Sequence, residues 1–416
     1  MDIYAELGIR TIINAVGPAT RLGGLPLSDE VVEAMRAAGA RNVRMDELQE
    51  AAGAEIAALL GAPAAYVTSG AAAARSLATA VCLAGDQPAA IEELAQVSGQ
   101  RRRVIIQRAH RDPYDHALTA VGAELVEIGY PGSTRPDELL RELDERAALV
   151  LWRPGRGGDH LSVAEVSELA HRAGVPVLVD AAMDVPPLER LAALFDGGAD
   201  LVAISGGKAF RGPHTAGILC GRADLIGAVA LHHQDMDIRP RTWQRSEVTG
   251  ADPVRGRHGI GRGMKVGREQ IVGLLVALRA FVRDPDAHHR HGERELADIR
   301  SALEADARCT VRDGYEHHLD VPVLEIDLSA SGLEADEVVR ELDRGTPRIH
   351  VGEDLAWRNV LVVSPMGLQD GDGAALAKRL IEVLDRGNAA RFPSEPGRDG
   401  RSHVSTQGAQ RHDRHP

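Results

Sequence analysis

The sequence predicts an α/β protein in which a mostly parallel sheet carries helices on both faces and precedes a smaller α+β domain. Between residues 62 and 205, short apolar runs alternate with helical patterns of about 10–15 residues, the order typical of βαβ units. The runs are continuously apolar, which is typical of strands that are buried on both faces. Near residue 230 this order gives way to a long polar stretch, and the elements beyond it suggest the second domain.

The elements of the first domain follow in a regular order. Ser28 caps a helix in LSDEVVEAMRAA, and a second helical pattern, MDELQEAAGAEIAALLGA, stops at Gly61. The strands predicted after Gly61 are AAYVT, RVIIQ, ELVEIG, ALVLW, VPVLVD and ADLVAIS. The helices predicted between them are AAAARSLATAVCLAG, PYDHALTAVG, RPDELLRELDERA, SVAEVSELAHRAG and PLERLAALFDGG. Strands that are joined through helices in this way lie parallel in one sheet.

The C-terminal part is predicted to form a smaller domain. Its elements are the linking helix REQIVGLLVALRAFV, then VPVLEIDLS, ADEVVRELDRG, NVLVVSPMG and GAALAKRLIEVLDRG. We expect an arm and helix in residues 1–44, the large domain in 45–270 and the linking helix with the small domain in 271–390. Residues 391–416 are predicted to be a disordered tail, because Gly, Ser, Arg and His replace apolar residues there.

Composition excludes several classes of protein. The chain carries 48 Lys and Arg against 61 Asp and Glu, a net charge of −13, so a nucleic-acid surface is not expected. The three cysteines are far apart, which argues against a disulfide framework. No signal-like N-terminus is evident, and no apolar run approaches the about 20 residues that span a membrane. We therefore expect a cytoplasmic protein with no membrane partner.

One lysine stands in a glycine-rich loop directly after the strand ADLVAIS. In ISGGKAFRGPHTAG, residues 204–217, Lys208 follows two glycines. A Walker A loop requires Ser or Thr after Gly-Lys and a glycine six positions before the lysine, but Ala209 and Val202 occupy those positions. A dinucleotide fingerprint in GIGRGM fails because Met264 stands where the last glycine belongs. The remaining hypotheses are a Schiff-base lysine and a solvated turn.

The lysine has the companions that an aldehyde cofactor requires. Pyridoxal phosphate requires an anion beside its pyridine nitrogen and a cradle for its phosphate. Asp180 ends the strand VPVLVD one βαβ step before Lys208, so both side chains are expected at one sheet edge. The TSGA segment 68–71 stands where a strand gives way to a helix, and free backbone amides hold anions there. Ser205 adds a hydroxyl, and the combination favours pyridoxal phosphate over a solvated turn.

The chain also resembles a known group of enzymes. The matching stretches are INAVGPATRLGG, AAYVTSGAAAA, QRAHRDPYDHA, VPVLVDAAMDVPP, GADLVAISGGKAFRGPHTAGILCGR and GRGMKVGREQIVGLLVAL. They resemble fold-type I pyridoxal-phosphate enzymes of the selenocysteine-synthase-like group, which includes the D-glucosaminate-6-phosphate ammonia-lyases. The resemblance implies the aspartate aminotransferase-like fold with a seven-stranded type of sheet, and at least a homodimer.

The resemblance assigns roles to individual residues. It implies that Lys208 binds the aldehyde and that Asp180 pairs with the pyridine nitrogen. The implied phosphate ligands are Ser69, Gly70, Ala71 and Ser205. His110 is either a residue that stacks on the cofactor ring or a histidine at a helix entry, and both alternatives stay open. The residues that resemble substrate or anion contacts are Arg21, Arg211, His214 and Arg262, with Asn14 and Thr20 in the N-terminal arm.

The implied reaction is an ammonia-lyase reaction on an amino acid. The group predicts α,β-elimination from a hydroxylated 2-amino acid, sugar-derived or phosphorylated, which yields a 2-keto acid and ammonia. The alternatives are an amino-acid racemase, an aldolase and a catalytically degenerate protein that binds pyridoxal phosphate. A tRNA-dependent selenium transferase is disfavoured, because the chain is acidic and has no basic N-terminal domain. No metal is expected to be required.

Overall fold

The computed structural model describes residues 3–94, 101–155, 157–233 and 258–391, with the backbone alone for 387–391. The N-terminal elements are α1 (Ile3–Glu6), β1 (Ile12–Ala15) and α2 (Asp29–Gly39). The elements up to the polar stretch are α3 (Met45–Leu60), β2 (Ala65–Thr68), α4 (Ala71–Ala84), α5 (Pro88–Glu93), β3 (Arg103–Gln107), α6 (His116–Thr119), β4 (Glu124–Ile128), α7 (Pro136–Glu142), β5 (Ala147–Trp152), α8 (Val163–Arg172), β6 (Val177–Asp180), α9 (Leu188–Asp196), β7 (Leu201–Ser205), β8 (Gly217–Gly221) and α10 (Ala223–His233).

The C-terminal elements complete the chain. They are α11 (Arg268–Arg283), α12 (Ala287–Leu303), β9 (Thr310–Glu316), β10 (Val321–Asp327), α13 (Ala335–Arg344), β11 (Arg348–Val351), β12 (Val360–Val363) and α14 (Asp372–Arg391). None of these helices, nor any described helix before them, is long and apolar enough to cross a membrane. The predicted tail lies outside the described residues, except for Arg391 at the end of α14.

A seven-stranded sheet forms the centre of the larger part. Its strand order is β2-β8-β7-β6-β5-β3-β4, and β8 is antiparallel to both neighbours while the other described pairs are parallel. The prediction of an α/β protein with a mostly parallel sheet is therefore confirmed. Strand β8 is not among the predicted strands, because GILCG is a short run framed by glycines that resembles a loop.

Helices cover both faces of this sheet. On one face, α3, α9 and α11 pack their apolar residues against the strands, and on the other face α4 and α10 do so. The alanine-rich sequence of α4 lets this helix pack closely, and its residues from Ala73 to Val81 are buried. Helix ends follow the predicted signals, since Ser28 Oγ accepts a hydrogen bond from the Val31 amide and Gly61 ends α3 with φ of 67°.

The C-terminal elements have a core of their own. Strands β12, β10 and β9 form an antiparallel sheet, which packs with α12, α13 and α14. The N-terminal arm joins this core, because β1 pairs in parallel with β11 and buries Ile13 and Ala15 there. The predicted helix PYDHALTAVG is shorter than expected and consists of a 3-10 turn, Pro113–Asp115, and the single turn of α6.

Candidate active site

The carboxyl ends of the central strands bring the predicted site residues to one edge of the sheet. Asp180 is the last residue of β6, and Ser205 is the last residue of the adjacent parallel strand β7. Lys208 follows in the turn after β7. Thr68, at the end of β2, faces Gly217 of β8, which faces Ser205 on its other side. This edge is where open α/β sheets usually bind their ligands.

Lys208 is an unusual residue in this chain. The sequence has only three lysines, and the other two, Lys265 and Lys378, are exposed. Burial lowers the pKa of Lys208, although the negative charges of Asp180 and Asp184 act to raise it. Burial therefore favours the neutral amine, which is the form that attacks an aldehyde or takes a proton.

Asp180 lies between two buried arginines. Its Oδ2 accepts a hydrogen bond from Arg75 Nη1 at 2.6 Å and another from Arg153 Nε at 3.0 Å. Both guanidinium groups are nearly inaccessible, with 3% and 4% of their side chains exposed. The other oxygen, Oδ1, accepts a weak bond from the Ala182 amide at 3.3 Å. Asp180 thus has one oxygen fixed by cations and one oxygen with room for a further N–H donor.

The two arginines belong to a larger buried ion network. Arg153 Nη2 lies 2.9 Å from Asp115 and 3.1 Å from Asp112, and Arg111 pairs with Asp115 from outside. Burial alone raises the pKa of Asp115, but hydrogen bonds from Arg111 and Arg153 outweigh it and lower that pKa below its usual range. The network therefore helps to hold Asp180, at the end of β6, in a fixed position.

Sequence reasoning missed this network. One signal was available, because Arg75 is a charged residue in the middle of the alanine-rich helix α4. A lone arginine on a buried helix requires a buried partner. The identity of that partner, 105 positions away, was not readable from the pattern.

The start of α4 provides the predicted phosphate cradle. Gly70 is the residue before the helix and has φ of 91°, a conformation that favours glycine. The first amides of a helix have no carbonyl partners within it, so the amides of Ala71, Ala72 and Ala73 precede the first one bonded in this way, that of Ala74 to the Gly70 carbonyl. Ser69 Oγ donates a hydrogen bond to the Met264 carbonyl at 2.9 Å. Gly217 packs against this cradle so closely that a Cβ on it would lie 2.7 Å from the Ala71 nitrogen.

His110 is buried at the end of β3. Its Nδ1 accepts a hydrogen bond from the Arg153 amide at 3.2 Å, and its ring meets Trp152 edge-on with centroids 5.5 Å apart. His110 therefore touches the same arginine that holds Asp180. Its role as a stacking residue stays a prediction.

The N-terminal arm reaches the Lys208 loop. Gly24 packs against His214, where a Cβ on Gly24 would lie 2.8 Å from the ring carbon Cγ. Asn14 supports this turn of the arm, because its amide donates to the carbonyls of Gly17 and Gly24. His214 in turn adjoins the backbone of Gly207, directly before Lys208.

The predicted arginines lie at different places. Arg21 is half exposed and lies 3.3 Å from His350 Nδ1 and 3.7 Å from Glu353, on the C-terminal elements. Arg262 belongs to a 3-10 turn, Ile260–Gly263, beside α10. Arg211 lines a cavity on the loop after Lys208. The arrangement does not bring these three side chains to one point.

A carboxylate that the sequence analysis did not single out completes the surroundings of Lys208. Asp184 follows β6, and its Oδ1 lies 2.9 Å from His318 Nδ1, on the turn between β9 and β10. Burial raises the pKa of Asp184, and the His318 contact acts in the opposite direction. The pair joins the C-terminal elements to the edge of the large sheet beside Lys208.

The donor set fits pyridoxal phosphate. A partly buried lysine suits the aldehyde, the weakly bonded Oδ1 of Asp180 suits a ring N–H, and the Gly70 turn suits a phosphate. On this fold, these features define a fold-type I pyridoxal-phosphate enzyme. Residues 27–234 match the Aminotransferase class-V family, and the chain belongs to that family.

Similarity to characterised proteins extends over nearly the whole chain. It is 29% identical to a 5'-C-glycyluridine monooxygenase-decarboxylase of Streptomyces sp over 93% of both proteins. It is 27% identical to the D-glucosaminate-6-phosphate ammonia lyase of Salmonella typhimurium, over 92% of this chain and 98% of that one. An L-seryl-tRNA(Sec) selenium transferase of Moorella thermoacetica is 28% identical, over 92% of this chain and 84% of its own length.

A solved structure supports the same conclusion. The structure of D-glucosaminate-6-phosphate ammonia-lyase is similar with a TM-score of 0.80 at 26% identity, over 93% of this chain and 99% of that one. The predicted resemblance to the selenocysteine-synthase-like group is therefore confirmed, as are the fold-type I architecture, the enzyme class and pyridoxal phosphate as cofactor. The chain is a pyridoxal-phosphate enzyme of the ammonia-lyase type at the level of the family.

Proposed function

We propose that this enzyme eliminates a β-hydroxyl group from a hydroxylated 2-amino acid and releases a 2-keto acid and ammonia. The proposed substrates are small amino acids, including sugar-derived and phosphorylated ones. The observation that carries the proposal is the full-length similarity to D-glucosaminate-6-phosphate ammonia lyase, at 27% identity over 98% of that protein.

The chain's own side chains suit this chemistry. Bound pyridoxal phosphate supplies a sink for the electrons of a bond broken at Cα. Asp180, fixed by Arg75 and Arg153, orients the ring through its free oxygen. Lys208 removes the Cα proton as a neutral amine, the form that burial favours. Asp184 lies close enough to act on the pKa of Lys208 and has a raised pKa of its own, so it is a candidate to give a proton to the departing hydroxyl group, which leaves as water. Water then hydrolyses the released product, an enamine that rearranges to an imine, to the 2-keto acid and ammonia.

The remaining assignments are part of the same proposal. Backbone amides at Gly70 and Ala71, with the hydroxyl of Ser205, hold the phosphate, and the Ser69 hydroxyl joins them when it turns away from the Met264 carbonyl. The proposed substrate contacts are Arg21, Arg211, His214 and Arg262. The working form is a homo-oligomer of at least two chains, because fold-type I sites are commonly completed by a second subunit.

The decisive experiment compares two lysine variants. The purified enzyme is expected to show the visible absorbance of lysine-bound pyridoxal phosphate and to release keto acid and ammonia from D- or L-hydroxyamino acids, with or without a terminal phosphate. Lys208→Ala should lose both properties, whereas Lys378→Ala, an exposed site, should keep both. Unchanged absorbance in Lys208→Ala would refute the site.

The same assay separates the alternatives. Exchange of the Cα proton without release of ammonia would indicate a racemase. Release of an aldehyde would indicate an aldolase. Oxygen uptake with carbon dioxide release would indicate a reaction like that named for the Streptomyces relative. Cofactor absorbance without any of these products would indicate a degenerate binding protein.

A further inference from the structure

A cavity of about 120 Å³ lies between the Lys208 loop and the C-terminal elements. Its polar lining consists of Arg211, His288 and His289 together with the carboxylate residues Asp286 and Asp320, and its apolar walls include Phe281 and Met366. A single water molecule requires only about 10–15 Å³ of such space, so the cavity has room for a larger polar group.

Arg211 enters this cavity from the loop that carries Lys208. Its φ of 54° places a non-glycine residue in the left-handed region, which costs of order 1 kcal/mol. Asp320, on the opposite wall, has φ of 57°, and only one other described non-glycine residue has a positive φ. Such backbone strain concentrates at sites where a side chain must be held in place.

The guanidinium of Arg211 is partly buried. This burial lowers the pKa of Arg211 to about 10, and no carboxylate of the described residues contributes to that shift. Within the described part of the chain, Arg211 forms no ion pair, whereas Asp320 is already paired with Arg190 at 3.0 Å. Removing a charge from water without giving it a partner is unfavourable, so an anion in the cavity would stabilise Arg211.

Two imidazoles and a helix start complete the lining. His288 and His289 belong to the first turn of α12, a helix of 17 residues whose N-cap side chain, Asp286, forms no capping hydrogen bond. Burial first, and then the charge of Arg211, lower the pKa of His288 to about 4. His288 is therefore an uncharged N–H donor near Arg211 at neutral pH, and the positive end of the helix reinforces it.

We propose that this cavity is a binding site for a small oxyanion, a phosphate or carboxylate group, held by Arg211 and by the imidazoles of His288 and His289. Arginine is suited to this role because its planar fork binds two oxygens at once. The anion is either the distal group of the substrate or a free ion. The first source rests on the proposed function, and the second does not.

Binding is tested on the holoenzyme, in which pyridoxal phosphate already fills the cofactor cradle. Inorganic phosphate and acetate are titrated by calorimetry, and the thermal midpoint is followed with increasing phosphate. The variants are Arg211→Gln and Arg211→Gly, the second of which suits the positive φ. The control is Arg300→Gln, which removes the same charge from a partly exposed site on α12.

Wild type and Arg300→Gln are expected to bind one of the anions, while both Arg211 variants bind it at least about tenfold more weakly, which corresponds to about 1.4 kcal/mol. In the absence of phosphate, Arg211→Gly is expected to be at least as stable as wild type, because it removes strain and an uncompensated charge. Wild-type binding of neither anion would overturn the proposal, and so would equal binding by the Arg211 variants.

Kinetics identify the source of the anion. If the cavity holds the distal group of the substrate, Arg211→Gln raises KM for a phosphorylated hydroxyamino acid by a larger factor than KM for the unphosphorylated one. If the anion is a free ion and not part of the substrate, adding inorganic phosphate changes neither of the two KM values. Phosphate binding by an enzyme without lyase activity would refute the proposed function and leave the cavity proposal standing.

Discussion

Replacing Gly217 by alanine should damage the phosphate cradle selectively. Gly217 lies between the ends of β2 and β7, against the Gly70 turn. A Cβ there would lie 2.7 Å from the Ala71 nitrogen and 2.7 Å from the Gly70 Cα, whereas ordinary contact begins at 3.4 Å. The Gly70 carbonyl carbon would be closer still, so the cradle backbone must move by more than 0.7 Å, the difference between 2.7 and 3.4 Å.

This displacement affects the amide that faces the phosphate. Loss of one hydrogen bond to a charged group costs about 1.5–3 kcal/mol. The Kd for pyridoxal phosphate is therefore expected to rise about 10- to 150-fold. Pyridoxal, which has no phosphate, should bind Gly217→Ala and wild type equally, so the ratio of the two affinities isolates the cradle from general loosening of the fold.

The assay is a titration of the apoenzyme with each aldehyde, followed by visible absorbance, together with the thermal midpoint of each variant. Gly132→Ala is the control, because a Cβ there meets no atom within 4 Å. If Gly217→Ala bound pyridoxal phosphate as tightly as wild type, or lost affinity for both aldehydes equally, the start of α4 would not be the phosphate site.

Two further predictions concern the charges around Asp180 and Lys208. Arg153→Met should lower the free energy of unfolding by about 3–5 kcal/mol, measured by urea denaturation, because it leaves buried carboxylates unpaired. The control Arg172→Met, which removes an exposed ion pair with Glu168, should lower the free energy of unfolding by less than about 1 kcal/mol. If both variants lost the same free energy of unfolding, the buried network would not stabilise the protein as proposed. Asp184→Asn should lower the pKa of Lys208 further, because the charge of Asp184 raises it. The measurement is the rate at which the apoenzyme captures pyridoxal phosphate, plotted against pH. The midpoint of this curve should move to lower pH in Asp184→Asn. An unchanged midpoint would mean that Asp184 is too far from Lys208 to affect its pKa.

The order of strands and helices made the site edge predictable. Asp180 and Lys208 follow consecutive strands joined by one helix, and such strands are parallel neighbours, so their following residues meet at one edge. The TSGA segment was predictable for the same reason, because it joins a strand to a helix. These inferences need only local patterns and the rules for parallel sheets.

Contacts between distant segments were beyond local patterns. The pairing of β1 with β11 joins residues more than 300 positions apart, and neither four-residue strand has a distinctive pattern. Helix α12 was missed because AHHRHGERELADIR is dominated by polar residues, although its buried positions Leu296 and Ile299 pack on the C-terminal core. Its first turn lines the Arg211 cavity, so the contribution of His288 and His289 to that cavity was not predictable, although Arg211 itself was named as an anion contact.

The Lys208 loop partly buries two cations three positions apart, Lys208 and Arg211, and their chemistry explains why one is lysine and the other arginine. Burial lowers the pKa of both side chains. Lysine can relieve this cost by losing its proton and forming a covalent bond to an aldehyde, whereas arginine stays charged near neutral pH and can be relieved only by an anion. In a chain with 48 basic residues, of which only three are lysine, a lysine at this position is strong support for covalent cofactor binding. By the same reasoning, the partly buried Arg211 favours an anion partner beside the site.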